Sequence, residues 1–264
     1  MNIAHKIIEA HKLRFGSLPP LQQCSVSGSA LFQGDCLDIM PLIPDNSIDC
    51  IIADPPYGTT ACKWDAIIPF DKMWEQLNRV IKPNGAIVLF GSEPFSSALR
   101  MSNIKQYKYD WVWDKKKPGA IGIAKWQPLR YTENISVFYK KTCNYFPIMT
   151  KREKIKKSRN YSHSEINNES LKEMTENKVY THKFPSNILE FSNASQKGKL
   201  HPTQKPVELM EYLIKTYTNE AETVLDFTMG SGSTLVAAKN LNRKFIGIEK
   251  EVKYYDLAVA RVFG

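Results

Sequence analysis

No apolar run in the 264 residues reaches membrane-spanning length, and residues 1–14 carry charges throughout instead of the apolar stretch of a secretory signal. A membrane partner and an exported destination are therefore not expected. The five cysteines are scattered, form no C-x-x-C pair and are odd in number, so a disulfide framework does not fit and a reducing cytoplasm does. No Cys/His spacing suits zinc, and no internal repeat is evident. Acidic residues are the scarcer charge, 27 against 36 Lys and Arg, leaving a net charge of +9 that suits a polyanionic partner and association with the nucleoid. Hydrophobic residues at 42% and charged residues at 24% are ordinary for a soluble globular chain. The length suffices for one large α/β domain, or a domain with an insertion.

What is present starts with the run Ile48–Ala53, which reads as a buried strand of a mostly parallel sheet and stops at Asp54-Pro55-Pro56-Tyr57. Two prolines lack N–H donors and cannot extend the ladder, and they bias Asp54 toward extended geometry. A carboxylate, a backbone carbonyl and an aromatic ring are thus held at a strand's carboxyl end, where open α/β sheets bind ligands. An aromatic amine is a poor nucleophile because its lone pair is delocalised into the ring. Two acceptors, Asp54 and the Pro55 carbonyl, suit both of its N–H bonds and draw the nitrogen toward sp³, with Tyr57 stacked on the ring. Alone, these residues favour the plainer reading, a strand-to-loop corner with a surface acid.

A second element lies at Thr223-Val224-Leu225-Asp226-Phe227-Thr228-Met229-Gly230-Ser231-Gly232-Ser233-Thr234, which reads as strand, glycine turn and helix. Gly230 and Gly232 permit close backbone approach, Ser233 or Thr234 is placed to cap the helix, and its N-terminus favours an anion. Glu249 ends the next strand 23 residues after Asp226, close to the spacing at which an acid meets ribose hydroxyls. No Lys follows Gly232, so a phosphate loop fails; no third Gly completes the dinucleotide pattern.

Together these residues resemble the S-adenosylmethionine-dependent DNA amino-methyltransferases: Asp54-Pro55-Pro56-Tyr57 their catalytic motif, Asp226 to Gly232 their cofactor loop, and His201-Pro202-Thr203-Gln204-Lys205-Pro206 the segment before it. The order, catalytic motif first and cofactor loop last, is similar to that of the β class, which methylates adenine N6 or cytosine N4. The likeness spans residues 30–140 and 185–262, about three quarters of the chain. It implies a Rossmann-like methyltransferase fold, a doubly wound, mostly parallel sheet with circularly permuted motif order, and double-stranded DNA as partner. Family members are often homodimers, and a cognate restriction endonuclease is left open. The cofactor implied is S-adenosylmethionine, with Gly230, Ser231 and Gly232 at its methionine portion and Asp226 orienting the turn or meeting the ammonium. Glu249 would take the ribose and Asp35, with Cys36 beside it, the adenine ring. Phe227, Ser233, Thr234, Thr203 and Lys205 complete that set, and Asp54 faces both substrates. Asp at position 54 resembles the adenine form; the cytosine-N4 form more often begins with Ser. An inactive DNA-binding homologue is the rival from another class.

The remaining chain organises around these motifs. Residues 1–28 read as an N-terminal arm, 29–140 as the catalytic half, 141–199 as an inserted target-recognition region and 200–264 as the cofactor half. Strands ending at Asp35, Asp54, Asp226 and Glu249 are expected side by side in one sheet, their acids on one rim. Trp111 and Trp113 read as core, and Lys115-Lys116-Lys117-Pro118-Gly119 as a basic turn that meets phosphate or is simply solvated. Region 141–199 holds 12 Lys/Arg against 6 Asp/Glu and shows no periodicity before Asn187. Its cluster Lys151, Arg152, Lys154, Lys156, Lys157 and Arg159 is the expected phosphate contact, against the alternative of a solvated face. No metal is called for. A covalent cytosine-C5 route needs a cysteine after a proline, and none of Cys24, Cys36, Cys50, Cys62 or Cys143 has one; they read as packing residues.

Overall fold

A computed structural model describes residues 3–15, 28–59, 65–119, 122, 124–157, 179–193 and 204–264. The chain divides into two compact units, 1–146 with 187–264, and 147–186. Asn187 to Phe191, read within the insert, belongs to the first.

The order of elements in the first unit is α1 (Ile3–Phe15), β1 (Ala30–Gln33), α2 (Cys36–Ile39), β2 (Ile48–Ala53), α3 (Phe70–Val80), β3 (Ile81–Gly91), α4 (Phe95–Ser102), β4 (Tyr107–Gly119) and β5 (Arg130–Phe138). After β6 (Thr150–Lys157) and β7 (Val179–Lys183) of the second unit come β8 (Ile188–Glu190), α5 (Val207–Tyr217), β9 (Thr223–Asp226), α6 (Ser233–Asn240), β10 (Lys244–Glu249) and α7 (Val252–Phe263). Eight strands form one sheet in the order β1-β10-β9-β2-β3-β5-β4-β8. From β1 to β3 every pairing is parallel; β5 alone runs against its neighbours β3 and β4.

Alternation along the strands builds a core on each face. In β2, Cys50 and Ile52 face one cluster while Ile48, Ile51 and Ala53 face the other; Val88 and Phe90 against Ile87 and Leu89 repeat the pattern in β3. Helices α5, α6 and α7 cover the first face through residues such as Leu213, Leu235 and Ala258. The second face is covered by α1 to α4, with Ala4, Ile7 and Ile8 of the N-terminal helix buried there. Both faces being shielded explains the near-continuous apolar strands. The sheet is doubly wound, as expected. Chain order runs outward from β9 to β10 on one side and from β2 to β3 on the other, so β9 and β2 flank a topological switch point, the place where such sheets carry a crevice.

Trp111 and Trp113 are core, and their indole N–H groups donate to Tyr217 Oη (2.7 Å) and the Phe191 carbonyl (2.9 Å). Two local readings differ from the structure. Lys115 to Gly119 is the irregular end of β4, not a free turn: the register with β5 slips between Asp114 and Gly119, and Lys116 adopts φ 59°. That bulge turns Lys115 inward, so it is buried rather than presented as a surface cation. The other difference is β6, a strand polar but for the exposed Ile155, whose alternation carries no apolar signal. It exists by antiparallel pairing with β7, around a register shift between Lys151 and Lys156. Lys151, Lys154, Lys156 and Lys157 are exposed in this unit, while Arg152 donates from Nε to the His182 carbonyl at 3.0 Å. Arg159, Thr203, Cys24, Cys62 and the first three residues of the His201 segment lie outside the described residues. Among the described residues no helix is long and apolar enough to cross a membrane.

Candidate active site

At the switch point β2 delivers Asp54 and its neighbour β9 delivers Asp226. Glu249 ends β10, and Asp35 follows β1 after a glycine-containing turn, so all four expected acids share one rim. They border a cavity of about 500 Å³.

The Asp54 turn is held from two directions. Asp65, buried and unremarkable in sequence, accepts from the backbone N–H groups of Tyr57 (2.8 Å) and Gly58 (2.9 Å) through one oxygen, and from Thr59 (2.9 Å) through the other. These three bonds satisfy donors that the two prolines leave outside any ladder. The Tyr57 ring stacks on Phe95 with centroids 5.0 Å apart and planes at 26°. Its hydroxyl donates to Asp54 Oδ1, and Lys205 Nζ donates to Oδ2 at 2.5 Å. Behind Lys205 stands Glu133 of β5, whose Oε2 lies 3.4 Å from Lys205 Nζ and whose Oε1 accepts from Lys115 at 3.2 Å. Burial pushes the Asp54 carboxyl up, an effect the Lys205 ammonium counters only in part. Burial acts on Glu133 likewise, but two ammonium groups outweigh it and leave that carboxyl below its ordinary range. The motif resemblance assigns Lys205 to the cofactor; in the structure it lines the cavity and its ammonium meets Asp54.

The glycine loop is built by backbone strain and by one carboxylate. Gly230 (φ 51°) and Gly232 (φ 77°) occupy left-handed conformations that favour glycine. Glu249 accepts from Gly230 N–H at 2.9 Å and from Glu251 N–H at 2.8 Å, tying the loop to the end of β10. Gly232, not Ser233 or Thr234, caps α6. Nor does Gly232 line the cavity: a side chain there would meet Ala258 and Val262 of α7, at 3.2 and 3.4 Å. Thr234 hydrogen-bonds to Asp226, whose carboxyl burial has pushed up to about 7. Ser233 accepts at Oγ from Arg261 Nη1 (3.0 Å), which also donates to the Ser231 carbonyl (3.0 Å) and so ties the loop to α7. Asp35 caps α2 by accepting from Leu37 N–H (2.9 Å) and pairs with Lys250 (3.0 Å); although burial opposes it, these contacts hold its carboxyl low. Cys36 beside it is pushed up to about 12 by burial and by that carboxylate, so it is no nucleophile.

The cavity suits S-adenosylmethionine. Its walls carry Asp35, Asp54, Asp226 and Glu249, a set matched to a cationic ligand bearing hydroxyls, with Phe227 as an apolar wall. Thr228 Oγ1 and Asn193 Oδ1 also border it, buried and without hydrogen-bond partners among the described residues. Such groups are costly unless a ligand or water meets them.

Residues 48–260 match the family model described as DNA methylase. The chain belongs to that family. A type II methyltransferase of Lactococcus lactis subsp. cremoris, M2.LlaDCHI, is 31% identical over 259 residues, covering 88% of each chain. M2.DpnII of Streptococcus pneumoniae is 29% identical, again covering 88% of each. Among solved structures, the M1.HpyAVI–SAM complex shares 27% identity with a TM-score of 0.59, covering 88% of this chain and 98% of its own. The cytosine-N4-specific PvuII DNA methyltransferase, at 17% identity and a TM-score of 0.66, covers 94% of this chain and 91% of its own and shows the shared fold. The chain is an S-adenosylmethionine-dependent DNA amino-methyltransferase, of the kind that acts on adenine N6 or cytosine N4. For this methyltransferase the motif residues are legible from sequence, whereas Glu133, Asp65, Arg261 and the inward Lys115 are not. No spacing rule links these four to the site.

Proposed function

We propose that this DNA amino-methyltransferase methylates N6 of adenine in duplex DNA after rotating the base out of the stack. The observation that carries the reading is an aspartate, not a serine, at position 54. Asp54 and Pro55 both line the cavity, in a turn that Asp65 and Lys205 hold. Those two acceptors bind the amine hydrogens and raise electron density on the nitrogen. Tyr57 offers the base a ring braced by Phe95. A base inside the duplex cannot reach a buried rim, so extrusion is required. When bound, S-adenosylmethionine supplies an electrophilic methyl on a sulfonium; Asp226, Gly230, Ser231, Glu249 and Asp35 are the residues placed to hold it. The rest of the acceleration is positioning and electrostatics, with no covalent intermediate. Named type II relatives support a modification role beside a cognate endonuclease.

Nucleoside mass spectrometry with methylation-aware sequencing of DNA from cells expressing the chain tests the base. N6-methyladenine at one sequence context is expected; N4-methylcytosine would replace this reading with the alternative.

The exposed cations of β6 are the proposed phosphate-binding groups. Reversing Lys151, Lys154, Lys156 and Lys157 to Glu flattens the slope of log affinity against log salt by about 0.9 for every phosphate left unneutralised. Filter binding across a salt series measures it. An unchanged slope makes the strand merely a solvated face.

A further inference from the structure

Lys205 sits one residue before Pro206, the cap of α5, and so outside any regular element. Its four-carbon stem is flexible, yet its ammonium must meet one oxygen of Asp54. Glu133 projects from the middle of the sheet, opposite Trp113 in the β4–β5 register, and meets that ammonium from the other side. Lys115, turned inward by the β4 bulge, holds the second oxygen of Glu133. All four side chains of this series are largely buried, with exposures of 21% at Asp54, 7% at Lys205, 17% at Glu133 and 10% at Lys115. Two acids and two bases make a neutral set, which is what burial of charge demands.

We propose that Glu133 is a positioning residue for methyl transfer: it anchors Lys205, and the anchored ammonium holds the Asp54 carboxylate in one orientation toward the acceptor amine. Asp54 is otherwise faced by Tyr57 of its own turn and by Asp226 from β9. Of the cations described, Lys205 alone touches it. Removing Lys205 leaves Asp54 and Glu133 as like charges at close range and favours protonation of Asp54. Removing the Glu133 charge does the reverse for ionisation, because it takes a like charge from Asp54, while the loss of the second anchor on Lys205 costs orientation and so rate. The two substitutions therefore move the ionisation of Asp54 in opposite directions, which a purely structural pair of residues would not do.

The test uses the full-length chain, duplex DNA carrying its methylation site, and the pH dependence of single-turnover methyl transfer. Glu133→Gln is expected to lower the rate about tenfold or more and to move its acid limb to lower pH. Lys205→Met is expected to move that limb upward by about one pH unit or more, with partial recovery of rate in alkali. Glu133→Asp keeps the charge with a shorter reach; it lowers the rate and leaves the limb in place. Calorimetric cofactor affinity within about threefold of the parent shows that each variant is folded. Limbs that do not move in either variant, or a Glu133→Gln enzyme of parental rate, overturn the proposal. It rests on Asp54 receiving the amine, and the two failures are distinguishable. An active Asp54→Asn enzyme sinks that reading, whereas an essential Asp54 with an indifferent Glu133 sinks only this one.

Discussion

Asp54→Ala abolishes methyl transfer, by roughly 10³-fold or more, while cofactor affinity stays near that of the parent. On the proposed mechanism the carboxylate is one of two acceptors for the amine hydrogens, and the groups that touch it, Tyr57 and Lys205, are both donors to it. Apart from Asp54 itself, the residues proposed to hold the cofactor follow β1, β9 and β10, on other strands of the rim. The fold survives because Lys205 keeps Glu133 as a counterion, though at a cost of about 1–3 kcal/mol for the missing partner. Single-turnover transfer of labelled methyl and calorimetry with S-adenosylmethionine measure the two quantities. Loss of both together would place Asp54 in the donor pocket instead of against the base.

Asp226→Asn stabilises the protein without ligand at pH 8 and weakens cofactor binding about 10- to 100-fold. Burial lifts this carboxyl from 3.8 to about 7 against hydrogen bonds from Thr234 and the Thr228 N–H. A group raised in the folded state favours folding fully below its unfolded value, and that contribution disappears as pH rises through the folded one. Stability of the parent therefore falls between about pH 4 and pH 7 by up to roughly 4 kcal/mol. Asparagine keeps the acceptor oxygen and carries no such burden, so its chemical-denaturation midpoint falls less than the parent's over the same window. A cationic ligand offsets the burden, which is why the parent tolerates it. Equal pH slopes for parent and variant would mean that Asp226 is ionised at no cost.

How much of this is legible in the sequence depends on distance along the chain. Asp54-Pro55-Pro56-Tyr57 and Asp226 to Gly232 are local, since a strand, its stop and its ligand-facing residues lie within a dozen positions. The placement of Asp35, Asp54, Asp226 and Glu249 on one rim follows from treating their strands as one sheet. What local pattern does not encode is partnership across long separations. Lys205 meets Asp54 over 151 positions, and Arg261 meets the Ser231 carbonyl over 30. Glu133 sits in a strand whose alternation predicts only burial. Gly232 reads in sequence as a ligand-facing glycine, whereas its left-handed backbone and the approach of α7 are what require it. Lys115 and β6 fail in opposite ways, one a cation hidden by a bulge, the other a strand without an apolar stripe.

The gap between β1 and β2 has a consequence for biosynthesis. Both strands emerge early from the ribosome, but the pair that fills the space between them, β9 and β10, comes from the last quarter of the chain. At about 5–20 residues per second, β2 waits roughly 10–30 s for its neighbour. During that interval two apolar strands have bare edges that invite pairing with other nascent chains. The arrangement that brings the two substrates together thus leaves these edges bare until β9 and β10 have followed them out.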